Sequence, residues 1–136
     1  MKEKDYCAVG LYIMKKILFI EDESALQKAL SSILKKKGYE PLAALDGEIG
    51  LRVTREQHPD IILLDLVLPK KDGFEVLKEL KGDPATAKIP VIVLTNLEGT
   101  QDVERALELG AMNYLVKTNY RLEEVTEKID QVLSRQ

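Results

Sequence analysis

Polar side chains follow four apolar runs of this sequence, each at the point where the run ends. In chain order they are Glu21 and Asp22, Asp65, Thr95, and Lys117. Clustered carboxylates repel one another unless a hard cation lies between them, and Mg²⁺ prefers a few carboxylates together with waters and a phosphate. The metal and the Lys117 ammonium would neutralise a transferring phosphoryl group, Thr95 could donate to one of its oxygens, and Asp65 could attack phosphorus. These residues are the parts needed to phosphorylate an aspartate.

The surrounding elements are expected to bring these side chains together. From Lys16 onward, short aliphatic runs alternate with longer segments of helical period, which predicts an α/β fold with a three-layer, doubly wound parallel sheet. The carboxyl ends of parallel strands share one edge of such a sheet, and ligands bind at that edge. The predicted strands are Ile17–Ile20, Glu40–Ala44, Ile61–Leu64, Val91–Leu94 and Tyr114–Val116.

Five helices are predicted between and after the strands. Leu122–Leu133 has the clearest apolar stripe, and a helix that contains Leu26 is predicted to stop just before Gly38. The segment Gly47–Gln57 is the weakest of the five, because its two glycines lower helix propensity. Shorter apolar stripes mark the other two helices, one over Phe74, Leu77 and Leu80 and one over Val103 and Leu107.

The composition excludes several classes of function. The 136 residues carry 20 basic and 23 acidic side chains, a formal charge of −3, and 45% of them are apolar. This length suits one domain with a core, and its weak acidity predicts no attraction to nucleic acids or anionic membranes. One cysteine, Cys7, and one histidine, His58, exclude an internal disulfide and the usual zinc or haem ligand sets. We expect a cytoplasmic protein.

Residues 1–13 are interpreted as an N-terminal extension that is not part of the domain, and a non-native origin is one interpretation of this segment. The apolar run Cys7–Ile13 is far shorter than the roughly 20 apolar residues of a membrane span, and no small-residue cleavage site follows it. Met14 is therefore a candidate for the natural start, and the domain is expected to occupy residues 14–136.

The motifs together resemble the receiver domains of two-component response regulators. The resemblance covers Lys15–Leu133 and rests on the order of Asp22, Asp65, Thr95 and Lys117 and on their separations of 43, 30 and 22 residues. The segments that carry it are Ile17–Glu23, Ile61–Pro69 with Asp72-Gly73, Val91–Thr95, Gly110-Ala111 and Tyr114–Lys117.

The resemblance implies that Asp65 is the phosphoacceptor and takes a phosphoryl group from a phosphohistidine of a sensor histidine kinase. Asp22 and Asp65 would bind Mg²⁺ directly, and the backbone carbonyl of Val67 would add a third protein ligand. Glu21 would act on the metal through water, and Lys117 would pair with the phosphoryl group.

The resemblance also implies a switch and a strand order. Thr95 would follow the phosphoryl oxygen inward and vacate space for the ring of Tyr114. The sheet would have the order 2-1-3-4-5 of flavodoxin-like folds, with five helices. The fourth helix, the fifth strand and the fifth helix would form the output surface, which phosphorylation shifts between two states.

Four residues depart from the family's usual pattern. Thr118 stands where a proline usually follows the lysine in a cis peptide. Because a cis bond costs a non-proline residue roughly 3 kcal/mol, we expect a trans bond and a displaced loop over residues 118–121. Asn96 stands where a small residue is more common, which predicts narrower access to the phosphoryl site. Val67 and Leu97 are apolar and cannot orient an attacking water, which predicts slow self-dephosphorylation.

Some of these residues also have purely structural interpretations. Taken alone, Asp22 or Ser24 is a helix N-cap, and Thr95 is a turn residue. Asp72-Gly73 is interpreted as a turn. The joint presence of the polar residues at the strand ends is what favours chemistry.

We expect a stand-alone receiver, because only Ser134–Gln136 follow the last predicted helix. An excised piece of a longer regulator is the alternative. The output would be phosphorylation-dependent contact with another protein or relay to a histidine phosphotransfer domain, and we expect a monomer. Turnover of a separate substrate is not expected, since phosphatases on similar folds carry a second Asp where Val67 stands. A degenerate receiver that binds proteins without phosphorylation is the remaining alternative.

Overall fold

Strands and helices alternate along the part of the chain that the computed structural model describes, residues 14–135. The predicted extension over residues 1–13 lies outside the described residues. The strands are β1 (Lys16–Ile20), β2 (Glu40–Ala44), β3 (Ile61–Leu64), β4 (Val91–Thr95) and β5 (Asn113–Val116). The helices are α1 (Ser24–Lys36), α2 (Gly47–Gln57), α3 (Gly73–Gly82), α4 (Thr100–Glu108) and α5 (Leu122–Leu133), and a 3₁₀ turn covers Lys117–Asn119.

The five strands form one parallel sheet in the order β2-β1-β3-β4-β5. The chain adds β2 on one side of β1 and the three later strands on the other side. The carboxyl ends of β1 and β3 therefore meet at the point where the strand order reverses, which is where open α/β sheets bind ligands. The predicted fold class and the strand order are confirmed.

Helices cover both faces of the sheet. β3 and β4 are buried throughout, which explains their continuous apolar sequences. One face packs against α1 and α5 through Leu30, Leu34, Val125, Ile129 and Val132. The other face packs against α2, α3 and α4 through Leu51, Val76, Leu77, Leu80 and Ala106. Within residues 14–135 no helix combines the length and the apolar character that crossing a membrane requires.

Helix α2 occupies the predicted range although its glycines disfavour a helix. A Cβ at Gly47 would lie 2.1 Å from the Lys71 carbonyl oxygen, and a Cβ at Gly50 would lie 2.6 Å from Ile20 Cδ1. The glycines therefore allow α2 to approach the β3–α3 loop and the end of β1. The Asp46 carboxylate accepts a hydrogen bond from a backbone N–H of the first turn and starts the helix.

The turn predicted at Asp72-Gly73 is the beginning of α3. The Asp72 carboxylate accepts a hydrogen bond from the Glu75 N–H at 3.1 Å and caps the helix. A Cβ at Gly73 would lie 2.4 Å from the Asp65 carbonyl oxygen. The close approach that glycine permits places α3 directly against the residue predicted to be the phosphoacceptor.

Candidate phosphoryl-acceptor site

The carboxyl edge of the sheet gathers three acidic side chains. Glu21 and Asp22 follow β1, and Asp65 follows β3, the neighbouring strand. One carboxylate oxygen from each residue lies within 4.8 Å of the other two. Glu21 and Asp65 are buried, whereas Asp22 is exposed. These three residues, which we call the acid cluster, converge as predicted, and the cluster opens to solvent at Asp22.

Lys117 brings a cation to the acid cluster from the end of β5. Its ammonium nitrogen lies 2.9 Å from Asp65 Oδ2 and 2.6 Å from Glu21 Oε1. The peptide bonds of the described residues are all trans, including the bond that joins Lys117 to Thr118. The expected trans bond is therefore present, and the 3₁₀ turn that it enters still lets the long Lys117 side chain reach the cluster.

Burial strongly perturbs the Glu21 carboxyl. The residue is 1% exposed. Burial raises the pKa of Glu21 to about 7; the Lys117 ammonium and the Glu23 N–H oppose the rise, and the Asp65 charge adds to it. Oε2 accepts the Glu23 N–H at 3.0 Å. Oε1 makes an ion-pair contact with Lys117 but has no well-directed hydrogen bond, so this buried oxygen remains incompletely satisfied.

Both carboxylate oxygens of Asp65 have donors. Oδ1 accepts the Val67 N–H at 3.2 Å, and Oδ2 accepts the Lys117 ammonium at 2.9 Å. The backbone is also held, because the Asp65 N–H donates to the Ile20 carbonyl at 3.0 Å. Val67 contacts Asp65 through its N–H, while its side chain is 57% exposed at the rim of the site. Asp65 is thus fixed in position beside the other two carboxylates.

Thr95 and Tyr114, the predicted switch pair, both contact Leu97. Thr95 is buried at the end of β4, and its hydroxyl oxygen accepts the Leu97 N–H at 3.4 Å. The Tyr114 hydroxyl donates to the Leu97 carbonyl at 2.9 Å. Burial, together with the charges of Asp102 and Asp65, raises the pKa of Tyr114, so its hydroxyl remains a donor. The two residues are therefore connected through the backbone of the β4–α4 loop.

The donor set fits a divalent cation that prefers oxygen ligands. When all three carboxyl groups of the acid cluster are ionised, Lys117 offsets one negative charge and leaves two for a doubly charged ion to neutralise. Glu21 Oε1, buried without a well-directed donor, is an atom that a cation or its bound water would satisfy. The residues in place to hold the ion are Glu21, Asp22 and Asp65, with Val67 beside them.

The helix-cap interpretation of Asp22 and Ser24 is wrong. The N-cap of α1 is Glu23, and its side chain makes no capping hydrogen bond. Because α1 does not use the Asp22 carboxylate, this group belongs to the acid cluster.

The role of Gln27 beside the acid cluster was not predicted from the sequence. It is buried on α1, and its side chain donates to the backbone carbonyl of Glu21 at 3.1 Å. The signal in the sequence is a polar residue that shares the apolar stripe of Leu30 and Leu34 at helical spacing.

A groove of about 370 Å³ lies beside the acid cluster and not over it. Its apolar lining belongs to α1, β4, α5 and the loop before α5, and Lys117 is the residue it shares with the site. Access to the acid cluster is therefore through the exposed rim at Asp22 and Val67.

Comparison with known proteins places the chain in a family. The sequence model described as response regulator receiver domain matches residues 17–130. The DNA-binding dual master transcriptional regulator RpaA of Synechocystis sp. is 39% identical over 122 residues, which cover 90% of this chain and 50% of RpaA. The response regulator PleD of Caulobacter vibrioides is 41% identical over 102 residues, which cover 75% of this chain and 22% of PleD. The chain thus spans about half, or less, of the length of these relatives.

Solved structures show the same architecture. The CheY-like response regulator receiver domain protein of Methanospirillum hungatei matches with a TM-score of 0.84 and 25% identity, over 90% of this chain and 96% of that one. The Mn(2+)-bound form of response regulator Rcp1 matches with a TM-score of 0.74 and 35% identity, over 88% of this chain and 92% of that one. Sequence, fold and site agree, and the chain belongs to the family of response regulator receiver domains.

Proposed function

We propose that this chain accepts a phosphoryl group on Asp65 from a phosphohistidine of a sensor histidine kinase. The observation that carries the proposal is the 2.9 Å contact between Asp65 Oδ2 and the Lys117 ammonium, inside a cluster of three carboxylates. A structural ion pair needs one carboxylate for one ammonium. Here two buried carboxylates, those of Glu21 and Asp65, share one ammonium, and the additional buried carboxylate lowers stability. This cost is expected where the carboxylates bind a cation and a phosphoryl group.

In the proposed reaction an oxygen of Asp65 attacks the phosphorus of the phosphohistidine. The new O–P bond forms while the P–N bond breaks, and the electron pair of the P–N bond leaves with the imidazole nitrogen. Burial by itself lowers the pKa of Lys117, but the contacts with Glu21 and Asp65 outweigh burial and raise it. The Lys117 ammonium therefore stays charged beside the transferred group. Asp65 is itself modified, and the chain turns over no separate substrate.

Mg²⁺ is the proposed cofactor. Glu21, Asp22 and Asp65, together with the Val67 carbonyl, would hold it, and when bound it supplies positive charge to the phosphoryl oxygens. The choice of Mg²⁺ rests on its preference for a few carboxylates with several waters, which suits a cluster that opens to solvent at Asp22.

We propose that Thr95 and Tyr114 couple the phosphorylated state to the output surface. A Thr95 hydroxyl that turns toward a phosphoryl oxygen gives up the hydrogen bond from the Leu97 N–H. Because the Leu97 carbonyl accepts the Tyr114 hydroxyl, a shift of this backbone changes the position of the tyrosine ring.

The proposed output is contact with another protein or relay to a histidine phosphotransfer domain, by a monomeric regulator in the cytoplasm. RpaA is named as a DNA-binding regulator, but the chain covers only 50% of RpaA, so that property is not carried over. The formal charge of −3 gives no support to a nucleic-acid or membrane partner.

The first test is the intact mass of the protein after incubation with acetyl phosphate and Mg²⁺. We expect one added phosphoryl group on the wild type, none on Asp65→Asn, and none when the metal is chelated. Asp60→Asn is the matched control, because Asp60 lies at the opposite end of β3, where its carboxylate accepts the Lys16 N–H at 2.8 Å. This variant should be phosphorylated like the wild type.

A wild type that gains no phosphoryl group would be titrated with Mg²⁺. Binding of Mg²⁺ would indicate slow reaction with small donors, and phosphorylation by a kinase would then be the deciding measurement. No binding would favour the degenerate receiver that acts by protein contact alone.

We further propose that the phosphorylated form is long-lived. Val67 and Leu97 lie two residues after Asp65 and Thr95, and their apolar side chains cannot orient a water for attack on phosphorus. Without a phosphatase, the fraction phosphorylated should persist for minutes or longer. A half-life of seconds would contradict this part of the proposal.

A further inference from the structure

Gln27 is a buried polar residue next to the acid cluster that the proposed reaction does not use. It lies on α1 in the buried stripe with Leu30 and Leu34, and it is 7% exposed. A buried amide costs free energy unless its donors and acceptors are satisfied. The partners of the Gln27 side chain therefore identify what this residue stabilises.

The Gln27 amide nitrogen donates to backbone carbonyls at the ends of two strands. Nε2 lies 2.7 Å from the Phe19 oxygen, 3.1 Å from the Glu21 oxygen and 3.1 Å from the Ala44 oxygen. The Ala44 carbonyl also accepts the Glu21 N–H at 2.9 Å. One side chain thus connects α1 to the end of β1, to the end of β2 and to the first residue of the acid cluster.

The position of the Glu21 carbonyl explains why it needs a side-chain donor. Ile20 and Ala44 are the last paired residues of β1 and β2, so Glu21 lies just beyond the regular ladder. Buried backbone carbonyls must find donors elsewhere when a ladder ends. The Glu21 carbonyl belongs to the peptide that joins Glu21 to Asp22, and both cluster carboxylates project from the backbone on either side of it.

We propose that Gln27 is a positioning residue for the acid cluster, holding the Glu21–Asp22 peptide so that both carboxylates face Asp65. This inference rests on the proposed function only in taking the ligand of the cluster to be Mg²⁺. Without the amide donors, the Glu21 carbonyl loses its fixed direction and the carboxylates separate. Groups that orient metal ligands typically change metal affinity by about 10- to 100-fold.

The test is the Mg²⁺ affinity of the unphosphorylated full chain, measured by calorimetric titration, with hydrogen exchange of the Glu21 N–H as a second measurement. Gln27→Met keeps the length of the side chain and removes both donors. We expect Mg²⁺ affinity to fall about tenfold and the Glu21 N–H to exchange faster. Gln27→Asn, which shortens the reach of the amide by one methylene, is the second variant if Gln27→Met fails to fold.

Thr86→Val is the matched control. The Thr86 hydroxyl is also a buried donor to a backbone carbonyl, that of Leu80 at 2.7 Å, but it lies in the α3–β4 loop, which enters β4 at its amino end. This variant should lose stability while its Mg²⁺ affinity stays within twofold of the wild type. A tenfold loss in Thr86→Val as well would mean that general destabilisation causes the effect, which overturns the inference.

Equal Mg²⁺ affinities of the wild type and the Gln27 variants would also overturn it. A wild type that binds Mg²⁺ but never accepts a phosphoryl group contradicts the proposed function and leaves this comparison intact. A wild type that binds no Mg²⁺ contradicts both proposals.

Discussion

Lys81 and Lys117 are two partly buried lysines whose pKa values shift in opposite directions. The Lys81 ammonium donates to two backbone carbonyls of the α3–β4 loop, at 3.0 and 2.8 Å, and burial lowers its pKa. Burial also disfavours the charge of Lys117, but its carboxylate partners outweigh that penalty and raise its pKa. Carbonyls satisfy the hydrogen bonds of an ammonium without neutralising it, whereas carboxylates do both.

The difference separates a structural site from a reactive one. Around Lys81, two backbone carbonyls accept hydrogen bonds from the ammonium, and the lysine holds a loop in place. Around Lys117, three carboxyl groups lie near one ammonium, so the site has an excess of acidic groups that a bound cation, or a proton on Glu21, must balance. Such an excess weakens the fold and is expected where binding or chemistry uses it.

Replacement of each lysine by methionine gives the largest expected contrast. Lys117→Met should slow phosphorylation of Asp65 by roughly 100-fold or more, because it removes a preorganised cation from the transferring group. Lys81→Met should leave the rate within about twofold of the wild type, since its partners are backbone carbonyls away from the acid cluster. The time course of intact mass measures both rates, and equal losses in the two variants would contradict the distinction.

Glu21→Gln should change how the stability of the metal-free protein depends on pH. Burial raises the pKa of Glu21 from 4.5 to about 7, so the folded state favours the neutral acid and loses that stabilisation as pH rises through 7. Between pH 5 and 8 the free energy of unfolding of the wild type should fall by about 2 kcal/mol relative to Glu21→Gln.

Urea unfolding in the presence of a chelator measures this difference across the pH range. Parallel pH profiles for the wild type and Glu21→Gln would show that the Glu21 carboxyl titrates alike in the folded and unfolded states.

Lys81→Met should cost stability without affecting the site. It removes two hydrogen bonds to the α3–β4 loop, worth about 1 to 2 kcal/mol together after hydration of the freed carbonyls. The midpoint of urea unfolding measures the loss. Lys88→Met is the control, because Lys88 belongs to the same loop and is exposed. A similar loss of stability in Lys88→Met would show that Lys81 has no specific role in holding the loop.

Tyr114→Phe should have the smallest effect. It removes the hydrogen bond to the Leu97 carbonyl, so the free energy of unfolding should fall by about 1 kcal/mol or less. Phosphorylation of Asp65 should proceed at the wild-type rate, because the tyrosine contacts the site only through the β4–α4 backbone. A large drop in that rate would place Tyr114 among the groups that act on the phosphoryl group.

Much of this molecule is encoded in local patterns of its sequence. The apolar runs at Ile61–Leu64 and Val91–Leu94 suit strands buried on both faces, and the segments of helical period between the runs indicate a parallel sheet. Parallel strands end at one edge, so the order of elements places Glu21, Asp22 and Asp65 on the same edge, and the strand order that the resemblance implies makes β1 and β3 neighbours. Hydrophobic periodicity and the alternation of strands and helices are properties of short stretches of chain, so the sequence alone predicts them.

Other properties depend on distances between residues that are far apart in the chain. Burial raises the Glu21 pKa to about 7, with Asp65 adding to the rise and Lys117 opposing it, and no spacing along the sequence predicts that value. The reach of Lys117 across a trans peptide at Thr118, and the three carbonyls that converge on Gln27, likewise depend on how separate elements pack. Coulomb interactions, desolvation and hydrogen bonds are set by separations of a few ångströms in space, and only the folded chain establishes those separations.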